Sequence, residues 1–295
     1  MSNSQFLDRR LLATRLRRVT GNTDRSALFL LDHVVEDVID RLGMVNRTFK
    51  DAIDISGWDP NLCNQLRSGA IADKITRFAP FAASGRPDAI IDDECLPVRN
   101  ASVDLIVSVL NLQFANDLPG LLTQVRRALR PDGLFLAALI GGESLNELRT
   151  CLAQAETEIS EGLSPRVLPF AEIRDLGSLL QRAGFALPVT DQDRLTVRYP
   201  SLIALAKDLR AMAATNFLSD RHRACPPRLL FPLAAKHYSD QYSDPDGKIR
   251  ATFDIIWLSG WAPHESQQKP LQPGTAKTRL ADALGTTETP MKSDR

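Results

Sequence analysis

Cysteine is scarce in this 295-residue chain and never clustered: Cys63, Cys95, Cys151 and Cys225 stand more than thirty positions apart. That spacing excludes a Cys-x-x-Cys zinc pair and a dense disulfide framework, and it fits a reducing cytoplasm. Net charge is also missing, with 36 Lys plus Arg against 36 Asp plus Glu. A neutral chain has no field with which to hold a polyanion, which argues against nucleic acid as the main partner. No apolar run approaches the roughly 18 residues of a membrane helix. The longest, at 134–140 and 104–110, have the length of strands. The sixteen glycines contain no Gly-x-Gly, and no Gly-Lys-Ser or Gly-Lys-Thr occurs, so the dinucleotide fingerprint and the phosphate loop are both absent. The four histidines form no His-Glu-x-x-His pair, and there is no Gly-x-Ser-x-Gly elbow. What remains is a soluble globular chain, 43% hydrophobic, long enough for one α/β domain with appendages or for two small domains.

The first 25 residues carry six arginines against Asp8 and Asp24. They read either as a mitochondrial presequence or as a basic first helix whose charges face solvent or an acidic partner. Helical periodicity covers 6–19 and 26–42, the second ending at Gly43. A strand-like segment at 51–55 runs into Ser-Gly-Trp-Asp-Pro, where Ser56 or Asp59 is placed to cap a helix over 61–67. Strands are expected at 74–79, 89–92 and 102–110. The last of these is near-continuously apolar, as in a parallel strand buried on both faces. A helix over 116–129, stopped by Pro131-Asp132-Gly133, precedes a strand at 134–140. Helices follow at 143–158 and 173–183, then strands at 194–199 and 251–261 flanking helices at 201–213 and 229–242. The alternation predicts an open doubly wound α/β sheet with N-terminal helices over 1–45, a domain over 46–267 and a helical insertion near 200–245. The polar tail, 268–295, lacks periodicity and is expected to be disordered. In such a sheet ligands bind at the carboxyl ends of the strands.

The informative block runs from Ile91 to Leu110: Asp92-Asp-Glu94 after a strand, Leu96-Pro97, a short polar turn, then Val103-Asp-Leu-Ile. With Leu129-Arg-Pro-Asp-Gly-Leu134 it resembles class I S-adenosylmethionine-dependent methyltransferases. The resemblance implies a mostly parallel seven-stranded Rossmann-like sheet and S-adenosylmethionine as cofactor. It places Asp93 and Glu94 near the adenine amine, Ser108 beside the sulfonium, and Asp54, Ser56 and Gly57 in the loop under the methionine moiety. A narrower likeness rests on Phe6-Leu-Asp-Arg9, Asn116-Asp-Leu-Pro119, Gly141-Gly-Glu-Ser-Leu-Asn-Glu-Leu-Arg149, Arg182-Ala-Gly-Phe185, Gly260-Trp261 and His264-Glu-Ser-Gln267. These segments are similar to the respiratory complex I assembly factor 5 family, whose mitochondrial member hydroxylates an arginine of the quinone-site iron–sulfur subunit.

That likeness implies a protein substrate, with the same subunit as the named candidate and a cytoplasmic place of action. It leaves methylation, hydroxylation and chaperoning without catalysis as alternatives, beside a carboxyl methyltransferase acting on an acyl-carrier protein or a small molecule. Three departures stand out. The loop Asp54-Ile-Ser-Gly-Trp-Asp-Pro60 keeps one glycine where the family pattern has three, the segment 75–80 offers no carboxylate for a ribose, and Gln113-Phe114 replaces His-Trp. Without Cβ a glycine allows positive φ and close backbone approach, so weakened cofactor binding is expected. For the substrate, Glu143 at the end of the fifth strand is a candidate cation receptor with Gln113, Asp117 and Arg149 nearby. The alternative is that Ser144 to Glu147 forms a capping box. Trp257 and Trp261 share one strand face and are expected in the core. No metal ligands and no catalytic residue are assigned.

Overall fold

β-branched and apolar runs build the strands β1 (Phe49–Asp54), β2 (Ala72–Ala79), β3 (Ala89–Ile90), β4 (Val103–Val109), β5 (Leu129–Gly141), β6 (Ala186–Tyr199) and β7 (Ile249–Trp261). They belong to a computed structural model that describes residues 5–20, 25–57, 59–80, 86–92, 94–160, 162–268, 281–282 and 285–286. Trp58, Asp93 and most of the 268–295 tail lie outside the described residues. The strands form one seven-stranded sheet, as expected, in the order β3-β2-β1-β4-β5-β7-β6. The first five are parallel, β7 runs antiparallel to β5, and β6 runs antiparallel to β7.

Eight helices are described: α1 (Arg9–Val19), α2 (Phe29–Gly43), α3 (Asn61–Ser68), α4 (Leu118–Ala128), α5 (Asn146–Ile159), α6 (Ile173–Ala183), α7 (Leu202–Ala211) and α8 (Leu230–Tyr242). Successive β4 side chains divide between two cores. Leu105, Val107 and Val109 pack under α2, α5, α7 and α8, while Ile106 packs under α4 and α6; Val103 joins Ile106 because a register shift separates it from Leu105. This is the double winding, and it follows from the two-residue period of a strand buried on both faces. A third, smaller core joins Leu12 and Leu16 of α1 to Phe217 and Leu218. Of the five α1 arginines, Arg15 donates to the Thr215 and Asn216 carbonyls at 2.8 and 2.7 Å, and Arg9 reaches Asp92 at 2.7 Å. Contacts divide the chain into Met1–Pro263, which holds the sheet, and a separate unit, His264–Arg295. Among the described residues no helix is long and apolar enough to cross a membrane.

Two strands are longer than the sequence suggests. β5 starts at Leu129, so Pro131-Asp132-Gly133 is an irregularity inside the strand, with a register shift against Val103 and Leu105 and Asp132 at φ +64°. Arg130 anchors this stretch by reaching Asp51 and Asp104, each at 2.8 Å. β6 begins at Ala186 because every residue from Val189 to Tyr199 pairs with β7. Its apolar Leu187 and Val189 are exposed, the reverse of the usual edge pattern, so hydropathy hides the strand.

Candidate functional site

β1, β4 and β5 end side by side, and the loops leaving them frame the site. At the end of β1 Asp54 is wholly buried, with Oδ1 accepting the Ser56 N–H at 2.8 Å and Oδ2 lacking a hydrogen-bond partner among the described residues. Burial raises its pKa from 3.8 to about 6, outweighing the Ser56 hydrogen bonds and the charge of Arg77. The folded state therefore holds this proton more tightly than the unfolded one, so its contribution is largest in acid and is lost as pH climbs through about 6. Asp54→Asn, neutral throughout, should be more stable than the parent by about 3 kcal/mol near neutral pH, with the difference vanishing below the ordinary carboxylate range. Thermal denaturation of both proteins at several pH values checks this. Parallel pH profiles would refute it.

Beyond Asp54, the Ser56 side chain accepts the Val109 N–H at 2.9 Å, and Ser108 sits beneath the loop, donating to the Ile55 carbonyl at 3.5 Å. Pro60 holds the N-cap position of α3 and no side chain caps it, so neither Ser56 nor Asp59 serves as the expected cap; Asp59, one residue further out, accepts the Asn61 N–H at 2.9 Å. On one side of this loop the strand ends, α2, α5, α7 and residues around 166–170 and 212–217 enclose a cavity of about 330 Å³. Its walls are mainly leucine and phenylalanine, with Ser56, Asp59 and Gln113 among the few polar residues.

The opposite side, toward β2 and β3, is where the resemblance places an adenosine. Arg77 of β2 turns inward, 3% exposed, and donates to the Gly57 carbonyl at 3.2 Å. Asn111, buried after β4, donates to the Ile55 carbonyl at 3.1 Å and lies against Gly57, where an added Cβ would stand 2.8 Å from its Oδ1. Gly57, at φ +83°, thus makes its close approach to a side chain of the same protein. The gap among Ile55, Phe78, Ile91, Leu96, Asn111 and Leu121 is about 10 Å³, room for one water and not for a purine. β2 carries a buried guanidinium rather than a ribose-binding carboxylate. The described residues therefore do not fit S-adenosylmethionine. Arg77 and Asn111 are the site residues that sequence reasoning missed; Arg77 stood inside the segment noted for its lack of an acid.

The remaining predicted residues are spread out. Asp93 lies outside the described residues. Glu94 accepts the Asn116 N–H and lies 3.4 Å from Arg9, so it joins α1 to the strand-end loop. Asp117 caps α4 through the Gly120 N–H at 2.9 Å. Glu143 is exposed and pairs with Arg194 at 3.1 Å, while Arg149 donates to the Leu168 carbonyl at 3.2 Å. Ser56 and Gln113 are thus the two predicted site residues that line the large cavity. The alternative reading of Ser144 to Glu147 as a capping box is not realised. Ser144 Oγ accepts the Asp254 N–H at 2.8 Å, Glu147 binds Thr252, and α5 starts only at Asn146, because this loop docks on β7. Among the described residues no three His, Cys, Asp or Glu gather as a metal site.

The sheet order and its strand-end cavity define a protein of the class I S-adenosylmethionine-dependent methyltransferase fold. A methyltransferase domain family model matches residues 81–137, a span that begins after the Ser56–Gly57 loop. YcgJ protein from Bacillus subtilis superposes with a TM-score of 0.54 at 13% identity over 79% of this chain and 99% of that one, a likeness of fold. The mitochondrial arginine-hydroxylase NDUFAF5 of Danio rerio is 35% identical over 263 residues, covering 86% of this chain and 81% of the relative. The Homo sapiens protein of the same name is 36% identical over 262 residues, covering 86% and 76%. The chain belongs to the NDUFAF5 arginine-hydroxylase family. More distantly it is related to malonyl-[acyl-carrier protein] O-methyltransferase of Xylella fastidiosa, 39% identical over 172 residues that cover 58% of this chain and 56% of that one.

Proposed function

We propose that this protein acts in the cytoplasm on an arginine of a complex I subunit, the quinone-site iron–sulfur subunit being the candidate, during assembly of the complex. Identity to the arginine-hydroxylases across both halves of the chain is the observation that carries the reading. The geometry supports it in one respect: the open cavity lies on the substrate side of the strand ends and has acceptors among its few polar groups. Methyl transfer, to arginine or to an acyl-carrier carboxyl, is the weaker reading because it needs a donor that the Arg77 and Asn111 side of the cleft does not accommodate. The same closure favours a second reading, in which the protein holds its client without modifying it.

Mass spectrometry of that subunit's arginines, from a strain with the gene and a strain without it, separates these outcomes. Loss of one oxygen mass in the deletion strain is the expected result. Loss of one methylene mass would instead establish methylation. An unchanged mass with failed assembly would establish holding alone. An unchanged mass with normal complex I would contradict the proposal.

A further inference from the structure

Asp59 is a carboxylate 6% exposed on the wall of a largely apolar cavity, and a carboxylate so buried is stabilised in its charged form by a paired cation. The cation here is Arg25, whose guanidinium donates to Asp59 Oδ2 at 2.9 Å and to Asp32 Oδ1 at 2.7 Å. The partners differ sharply in accessibility, since the Arg25 side chain is 47% exposed. The acid is built into the wall after β1, while the cation reaches it from the solvent side.

Gln113 lies on the wall of the same cavity. Its amide N–H donates to the Leu110 carbonyl at 2.9 Å, and its Oε1, itself buried, has no donor among the described residues. Leu28, Leu31, Phe114, Leu145, Leu148 and Phe217 supply apolar wall. Of the arginines on the wall, Arg166 is neutralised by Glu156 at 2.5 Å and Arg210 is exposed, while Arg25 is not a wall residue. The cavity thus offers apolar surface for an aliphatic stem and a buried carboxylate with a donor-seeking amide oxygen for its head. A side chain ending in a flat, charged set of N–H donors on a methylene stem matches both.

We propose that Asp59 and Gln113 recognise a client arginine and that Arg25 occupies Asp59 as an internal stand-in until the client displaces it. This rests on the reading of the protein as arginine-directed, and it adds the receptor and a self-occupied resting state. Removing Arg25 frees a buried carboxylate whose need for a cation then favours an incoming guanidinium. Asp59→Asn keeps an oxygen for the Asn61 N–H and removes the charge.

Calorimetric titration of the full chain with the capped tripeptide acetyl-Gly-Arg-Gly-amide, and with its lysine and leucine counterparts, tests the proposal. Arg25→Ala should bind the arginine peptide about tenfold more tightly than the parent chain. Adding Asp59→Asn to that background should weaken binding by about tenfold, and the leucine peptide should not bind to any form. Melting temperatures confirm that each variant is folded. Should Arg25→Ala fail that control, Arg25→Gln, which keeps a donor for Asp59 without the charge, takes its place with the same expectation. Binding unaffected by loss of Arg25, or surviving Asp59→Asn, overturns the proposal. Because peptide binding is read separately from arginine mass in cells, either result can fail while the other stands.

Discussion

Trp257→Ala should cost about 4 kcal/mol, a large share of the roughly 5–15 kcal/mol that holds an ordinary domain folded. The indole is 2% exposed in the middle of β7, between the antiparallel partners β5 and β6. Its Nε1 donates to Asp193 Oδ2 at 2.6 Å, and the Arg41 guanidinium lies 4.1 Å from the ring centroid. Truncation opens a cavity that rigid strands on both sides cannot close, and it removes the cation–π contact that holds α2 to the sheet. Trp261 shares the face but is only partly buried, with Arg47 at 5.7 Å, so Trp261→Ala should cost about 1–2 kcal/mol. Urea denaturation with an unchanged slope measures both losses. Equal losses at the two positions would contradict this account of the β7 face.

The parallel half of the sheet was legible because β4 and α4 carry periods that burial alone dictates: two-sided for the strand, and Leu121, Leu122, Val125 and Ala128 inward for the helix. Gly184, at φ +85°, ends α6 where the sequence placed it. The long antiparallel partner strands were only half legible. β6 turns Leu187 and Val189 to solvent, and its pairing is set by β7 rather than by its own pattern.

The site divides in the same way. The thinned glycine loop and the missing strand-two acid are visible as residue types. That Arg77 turns inward to the Gly57 carbonyl, and that Asn111 closes over the same glycine, depends on packing between strands and had no local signal. Ser56 or Asp59 was expected to cap α3, but Pro60 takes that position, and the pairing of Asp59 with Arg25 joins positions 34 residues apart. Glu143 and Arg149 looked like site residues because they follow a strand end. Arg194 and the Leu168 carbonyl, both remote in sequence, engage them instead.

In this protein a methyltransferase fold carries a cofactor cleft occupied by Arg77 and Asn111 beside a mainly apolar cavity with Asp59 and Gln113 on its wall. Calorimetric titration of the purified chain with S-adenosylmethionine and with S-adenosylhomocysteine tests it most directly. Adenosine binding in this cleft would require Arg77 and Asn111 to leave buried hydrogen bonds, and residues 75–80 at the carboxyl end of β2 offer no carboxylate for the ribose hydroxyls. The account predicts no saturable heat, with a dissociation constant above about 1 mM for either compound. Stoichiometric binding at micromolar concentration would contradict it, and would restore methyl transfer as the leading reading of this site.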